Sequence, residues 1–377
     1  MKKALIVLLA VAFVAAFAMP AMAADKSEWS FYGNARLQTF SYDDDENANN
    51  AVSGAAGRFG NQFDDRDTTW TNIGNSRFGA NVTAGSVTGQ VEMRESTEWR
   101  IIWGEWDFGV GKLGVGKNYT PANMFYSNQA GFGEVNMLWA GGEYTGADPM
   151  IRLRFQGIAD MIDFDLAFVD NAGAAVPGGF AGFYGAGNTD TDTTLPQIEA
   201  RMLINWGALQ VEVNGAWLSY EAVGFDGNNE REYDIDAWLA ALGVKYAMGP
   251  FGFRAQVYTG ENNSRVGQFL LSAANPTYVA GNDAVEDADG WGWIALANFK
   301  LNDMLTFEAG YGENQVDSNL VNTGDDENST YYLQAVINPA QGVYIIPEIG
   351  EVDYQDDGAG NDEGDTFYFG AVWKIYY

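Results

Sequence analysis

Neither cysteine nor histidine occurs in the 377 residues. Their absence removes thiol nucleophiles, disulfides, zinc ribbons, HExxH sites and any triad built on an imidazole base, so no enzyme of those classes is expected. Basic residues are scarce: 20 lysines and arginines stand against 51 acids, a net charge of −31. A chain that negative lacks the cationic surface that phosphate backbones require, and no nucleic-acid partner is expected. Long hydrophobic runs are missing too. Beyond the N-terminal segment no stretch approaches the roughly 18 apolar residues of a membrane-crossing helix.

The N-terminal segment carries a targeting pattern. Lys2 and Lys3 form a basic start, Ala4 to Ala18 an apolar run, and Ala21-Met22-Ala23 an A-x-A cleavage site. Residues 1–23 therefore read as a Sec signal peptide cut near Ala23, leaving 24–377 outside the cytoplasm. Ala24, not cysteine, follows the cut, which excludes a lipoprotein anchor. The mature chain keeps 18 basic and 51 acidic residues, a net of −33.

What recurs along the mature chain is alternation of period two. In Val87-Thr88-Gly89-Gln90-Val91-Glu92-Met93-Arg94 the odd positions are apolar or glycine and the even ones polar, giving a strand with one greasy and one wet face. Arg152 and Arg154 alternate with Ile151, Leu153 and Phe155, and Glu212 and Asn214 with Val211 and Val213. Sixteen such runs fall near 28–42, 75–84, 86–94, 100–110, 113–119, 149–157, 160–169, 196–206, 209–220, 236–247, 251–259, 291–301, 305–314, 329–337, 342–353 and 365–377. Their connectors alternate long and short, except for 95–99, which is short on the long side. Long loops on one side, tight turns on the other and an even strand number are the signature of an outer-membrane barrel. The expected fold is all-β: a 16-stranded antiparallel transmembrane β-barrel with short periplasmic turns and long extracellular loops.

A secreted β-sandwich is the competing architecture, but it need not end its chain inside a strand. Here Phe367, Phe369, Ala371, Trp373, Ile375 and Tyr377 share one face up to the last residue. That ending resembles the C-terminal signal of outer-membrane barrels, with Tyr in place of the usual Phe. Trp29, Trp106, Trp206, Trp217, Phe251 and Trp293 lie near strand ends, as interfacial girdles require. Pro347 falls inside the fifteenth strand, where a bulge is expected because proline cannot donate to the ladder.

Charge is placed unevenly. The long-side connectors hold 33 acidic residues and four basic ones, so −29 of the mature −33 sits on one rim. A one-sided acidic mouth concentrates cations over a screening length of about 8–10 Å. Asp43, Asp45, Asp287 and Asp289 are weak calcium candidates; the run from Asp43 has Ala48 where an EF-hand loop needs glycine. No other metal or cofactor is expected.

The remaining charges alternate along the strands. Arg36, Arg77, Arg94, Arg152, Arg154, Arg201 and Arg254 share the wet face with Glu92, Glu105, Asp107, Asp163, Asp165, Glu199, Glu212 and Glu308. Each would cost about 2–4 kcal/mol facing lipid at the bilayer midplane, so they must face inward. Sixteen strands enclose more space than side chains fill, and an aqueous lumen follows.

Gly109-Val110-Gly111-Lys112-Leu113-Gly114 matches GxGxxG, and Gly111 to Lys117 matches GxxxxGK. No helix follows either, and a glycine-rich hairpin explains both. The same stretch, Leu113-Gly114-Val115-Gly116-Lys117-Asn118-Tyr119-Thr120-Pro121, resembles the fifth strand of Gram-negative trimeric general porins. Trp103 to Gly109 and Pro347-Glu348-Ile349-Gly350 are similar to pieces of the trimeric porins of sulfate-reducing and related bacteria. The resemblance implies that 120–148 is an inward-folded third loop that narrows the lumen. It implies Glu134, Glu143 and Asp148 as acids on that loop and Arg36, Arg77, Arg94 and Lys117 as an opposing basic wall. Strict alternation puts Lys117 on the Val115 face, so its role requires a bulge.

The resulting expectation is passive diffusion of small hydrophilic solutes and ions across the bacterial outer membrane, with mild cation preference. A substrate-specific porin would need an aromatic track, for which Tyr258, Tyr332 and Tyr344 are the candidates; a non-enzymatic adhesin would need only loops. Barrel proteases and phospholipases resemble one another in using a catalytic histidine, which is absent here. Expected partners are two further copies in a homotrimer, through the small face of Ala80, Val82 and Ala84, together with outer-membrane lipid and lipopolysaccharide.

Overall fold

The structure, a computed structural model, describes residues 27–45, 65–138, 140–170, 172–227, 229–267, 274–317, 325–355 and 363–377. The signal segment and its cut near Ala23 lie outside the described residues, as do parts of the acidic connectors.

Antiparallel strands hydrogen-bond in chain order and the last closes on the first. They are β1 (Glu28–Asp44), β2 (Asp65–Asn72 continuing in Arg77–Ala84), β3 (Val87–Arg94), β4 (Trp99–Asp107), β5 (Lys112–Tyr119), β6 (Ala147–Ile158), β7 (Ile162–Val169) and β8 (Thr189–Thr193 continuing in Gln197–Trp206). The second half comprises β9 (Leu209–Phe225), β10 (Glu230–Met248), β11 (Phe251–Glu261), β12 (Asp289–Asn302), β13 (Leu305–Asp317), β14 (Asp326–Ala340), β15 (Val343–Asp353) and β16 (Asp365–Tyr376). The seam pairs Asn34 with Tyr376 through to Asp44 with Thr366. Closure leaves no free edge, which is what a sheet in lipid needs, because no water is present to satisfy its backbone.

Alternation sets the two faces. Val213, Leu242, Phe253, Val257, Leu333, Ile349, Phe369 and Trp373 stand exposed on the outside, while their neighbours Glu212, Asn214, Gln256, Gln334, Glu348 and Tyr368 are buried within. An apolar outer wall around a polar interior inverts a soluble protein and suits an outer membrane. Trp29, Trp206, Trp217 and Phe251 are exposed on the outer wall, as girdle residues should be.

The long strands β9 and β10, of 17 and 19 residues, outrun the membrane. In their outer halves the polarity reverses: Ala216, Leu218, Tyr220, Ile235, Ala237 and Leu239 are buried inside, and Asp234 and Asp236 face out. The inner apolar row joins Ala122, Met124, Tyr126 and Met137 of the segment after β5, Phe180 and Tyr184 of the β7–β8 connector, and Tyr278 of a small hairpin (Thr277–Val279 with Ala284–Glu286). A buried apolar core thus fills the β9–β12 side of the outer barrel, where strict alternation predicts a water-filled lumen.

Two expectations about bulges are corrected. Pro347 pairs with Ala371 in unbroken register, and the register with β14 shifts only later, between Ile337 and Ala340. A strand residue directs its N–H to one neighbour only, so proline is accommodated where the β14 ladder pauses. Lys117 stays in regular register opposite Ile102 and Pro149, on the outer side with Val115, and no bulge turns it inward. The bulge lies one strand away: Glu92 pairs with Ile101 and Met93 with Trp99, so Arg100 is the extra residue.

Candidate functional site

Residues 120–146 leave the end of β5 and run along the inside of the barrel, touching the inner faces of the far strands in turn. Glu199 on β8 accepts the Ala122 N–H at 2.8 Å. Asn128 donates to Glu308 on β13, and Gln129 donates to Tyr368 on β16 at 2.9 Å. Glu348 on β15 accepts both the Ala130 and Gly131 N–H groups at 2.7 Å, and Tyr42 of β1 receives the Phe132 N–H. Gln256 on β11 donates to the Gly141 carbonyl. Carboxylates on rigid strands thereby satisfy backbone donors that an irregular segment would otherwise leave buried and unpaired.

The tip of this segment is strained. Phe132, Glu134, Asn136 and Met137 all have φ between 54° and 66°, the left-handed region that side chains disfavour. The contacts on both sides hold them there, and the result is that Glu134 faces β1 and β16. Its carboxylate meets Arg36 at 2.6 Å and also pairs with Lys374. Burial works against its ionisation, but Lys374 and Arg36 outweigh that and hold it below the ordinary carboxylate range.

Beside this contact lies a cavity of about 960 Å³ lined by Arg36, Arg77, Lys374, Glu134 and Asn128, with the rings of Tyr119, Phe125, Tyr344 and Tyr376. β2 breaks at 73–76 where Arg36 sits, and the Ser76 hydroxyl replaces the missing ladder by accepting the Arg36 N–H at 3.0 Å. Arg94 stands directly opposite Arg77 in the β2–β3 register and forms no ion pair among the described residues. Glu92 binds Arg100 at 2.5 Å and lies 3.7 Å from Arg77, while the Arg100 guanidinium covers the Tyr119 ring at 4.4 Å. Arg100 and Lys374 escaped the sequence reading. Two apolar residues in a row after Arg100, Ile101 and Ile102, were the one sign of the bulge.

A second belt continues around the wall. Glu105 takes Arg154 at 2.9 Å and Lys112 at 3.6 Å; Asp165 takes Arg152 at 2.7 Å and Arg201 at 2.9 Å; Arg201 also lies 3.7 Å from Glu212. Asp107 is not part of it. It sits at the short turn between β4 and β5 and accepts the Gly109 N–H.

Of the three loop acids, only Glu134 lines the cavity. Glu143 is fully buried behind the loop, where Asn214 of β9 reaches it at 3.4 Å and burial pushes its pKa well above the usual range. Asp148 lies at the start of β6, paired with Asn118. Of the three acids and four basic residues expected to face one another at the narrowing, Glu134, Arg36 and Arg77 line the cavity, and with Lys374 added cationic side chains are in surplus. Tyr258 and Tyr332 are also buried, and neither lines the cavity. Among the described residues no group of three acids gathers to hold a metal, and Asp43 is ion-paired with Arg66.

No family model matches the chain, and no curated relative does. Solved structures do match. The outer-membrane channel DcaP of Acinetobacter baumannii superposes over 95% of this chain and 100% of its own at a TM-score of 0.69 and 13% identity. The anion-selective porin from Comamonas acidovorans covers 93% and 100% at 0.61 and 11% identity. The in-vitro folded OmpT of Vibrio cholerae in its trimer form covers 94% and 100% at 0.58 and 15% identity. The fold is that of the outer-membrane porins. At these identities the porin fold is preserved while the side chains have diverged, so the wall of Arg36, Arg77, Arg94 and Arg100 stands on its own geometry.

Proposed function

We propose that this protein is a passive diffusion channel for small hydrophilic solutes and ions across the outer membrane, exported by its N-terminal signal. The observation that carries the reading is the inner segment 120–146, seated so that Glu134 meets Arg36 and Lys374 beside the 960 Å³ cavity. A porin needs no reacting groups: a narrowed lumen and fixed charges suffice for selectivity. The matching structures include a channel and a porin, which supports the same function, and a trimer form, which supports a homotrimer here. The closer kinship with porins of sulfate-reducing bacteria rests on the sequence pieces around 103–121 and 347–350. The aromatic outer wall supports contact with lipid and lipopolysaccharide.

Ion preference follows from two opposed charge sets. The rim carries about −29 and favours cations at low salt, whereas the cavity sets Arg36, Arg77 and Lys374 against Glu134 alone. Rim charge is screened within about 8–10 Å at physiological salt, and the narrow interior far less. Mild cation preference should therefore fade with salt and turn toward anions. Reversal potentials in potassium chloride gradients from low to high salt test this; a preference independent of salt would refute it.

A substrate-specific porin is the second reading, favoured by the four rings that share the cavity with three cationic groups. Flux that saturates with one solute class would establish it over free diffusion.

A further inference from the structure

A second cavity, of about 440 Å³, opens on the short-turn side between the turns Gly207-Ala208 and Gly249-Pro250. It shares no lining residue with the cavity at Glu134. Its walls carry Lys245, Arg254 and Lys300 with the amides of Asn205, Gln210 and Asn298, and no aspartate or glutamate lines it. In a chain with 51 acids against 20 bases, a cavity with three cations and no carboxylate is exceptional.

Each cation is held differently. Arg254 is committed to Glu308, and Lys300 reaches Asp303 outside the cavity at 2.8 Å. Lys245 forms no ion pair among the described residues. Its ammonium sits 4.2 Å from the centre of the Tyr126 ring, and Glu212, the carboxylate of the adjoining strand, is engaged by Arg201 and Tyr126. A ring face stabilises an ammonium without neutralising it, and Lys245 lines the cavity with no carboxylate paired to it among the described residues. Gln210 is fixed by its 2.8 Å bond to Asn205. Gly252 leaves room beside Asn298, where a Cβ would lie 2.4 Å from the amide oxygen.

We propose that this cavity is a binding site for a small oxyanion of the phosphate class at the periplasmic exit, with Lys245 as its principal charge and Lys300 and the amides as supporting contacts. The placement follows from short turns being periplasmic and so rests on the channel reading. Strong, multiply charged oxyanions suit a cavity lined by three cations and three side-chain amides with no carboxylate in its lining, Glu308 and Asp303 being engaged by Arg254 and Lys300.

The test titrates inorganic phosphate into the purified protein in dodecyl maltoside, which contains no phosphorus, and follows the phosphorus-31 line width. Saturable broadening is expected, with binding weakened about tenfold in Lys245→Gln, two- to threefold in Lys300→Gln and unchanged in Arg66→Gln, whose side chain pairs with Asp43 and lines neither cavity. All variants are first checked for bilayer conductance, so that a protein that conducts but does not broaden phosphate overturns this site and leaves the channel intact. Equal broadening in Lys245→Gln overturns it too. A phospholipid that co-purifies with the wild type and is lost in Lys245→Gln, without any response to inorganic phosphate, would assign the cavity to a lipid headgroup and refute the soluble oxyanion.

Discussion

Arg36 on β1 and Glu134 in the inner segment are 98 positions apart in sequence, and their side chains meet at 2.6 Å inside the barrel. Both are nearly excluded from solvent, at 11% and 8% exposure. Glu134→Gln should leave Arg36 and Lys374 uncompensated and shift the reversal potential toward anions, whereas Arg36→Gln should shift it toward cations. The folded pKa of Glu134 is depressed, so its contribution to seating the loop is present above the ordinary carboxylate range and lost as pH falls through its lowered value. Acidification through that lowered range should release Glu134 from Arg36 and Lys374 and move selectivity toward anions; a reversal potential that does not move there would contradict the pair's role.

Glu348→Ala removes the acceptor of two 2.7 Å bonds from Ala130 and Gly131. Bonds to a charged acceptor contribute about 1.5–3 kcal/mol each, so at least about 3 kcal/mol of loop seating should go. The β-ladder does not depend on it. Single-channel conductance should rise and flicker, proteolysis within 120–146 should quicken, and the heat needed to unfold the barrel on gels should barely change. Unaltered conductance would show that the segment is held by its apolar contacts instead.

Strand positions were legible because lipid enforces alternation wherever a strand crosses it, as along Val87–Arg94 and Phe367–Tyr377. Legibility ended where water returns. Thr189–Thr193 and Asp65–Asn72 are ladder extensions that read as loops, since polar residues occupy both faces of each apart from Trp70 and leave no apolar alternation to read. The inner row Ala216, Leu218 and Tyr220 faces a buried apolar core whose other half comes from distant loops, which periodicity cannot reveal. Glu134 and the arginine wall were reached through family resemblance. Glu143 was misplaced because its burial depends on the path of the whole segment, and Lys117 because the bulge occurs at Arg100 instead.

Val82 and Ala84 form a half-buried low ridge on the outer face of β2, while Ala80 of the same face is buried beside the stacked rings of Phe31 and Phe78 at 6.4 Å. If this ridge joins three barrels, Val82→Trp should be tolerated by lipid yet obstruct close approach. The variant should run as a monomer on unboiled gels and in analytical ultracentrifugation, with unchanged conductance per barrel. A trimer undiminished in the variant would place the interface elsewhere.

Single-channel recording of the purified protein in a planar bilayer tests the central claim most directly. A water-filled passage past Arg36 and Glu134 predicts discrete steps, ohmic at low voltage, whose conductance grows with salt concentration. A correctly folded barrel that inserts without producing any such steps would contradict the account.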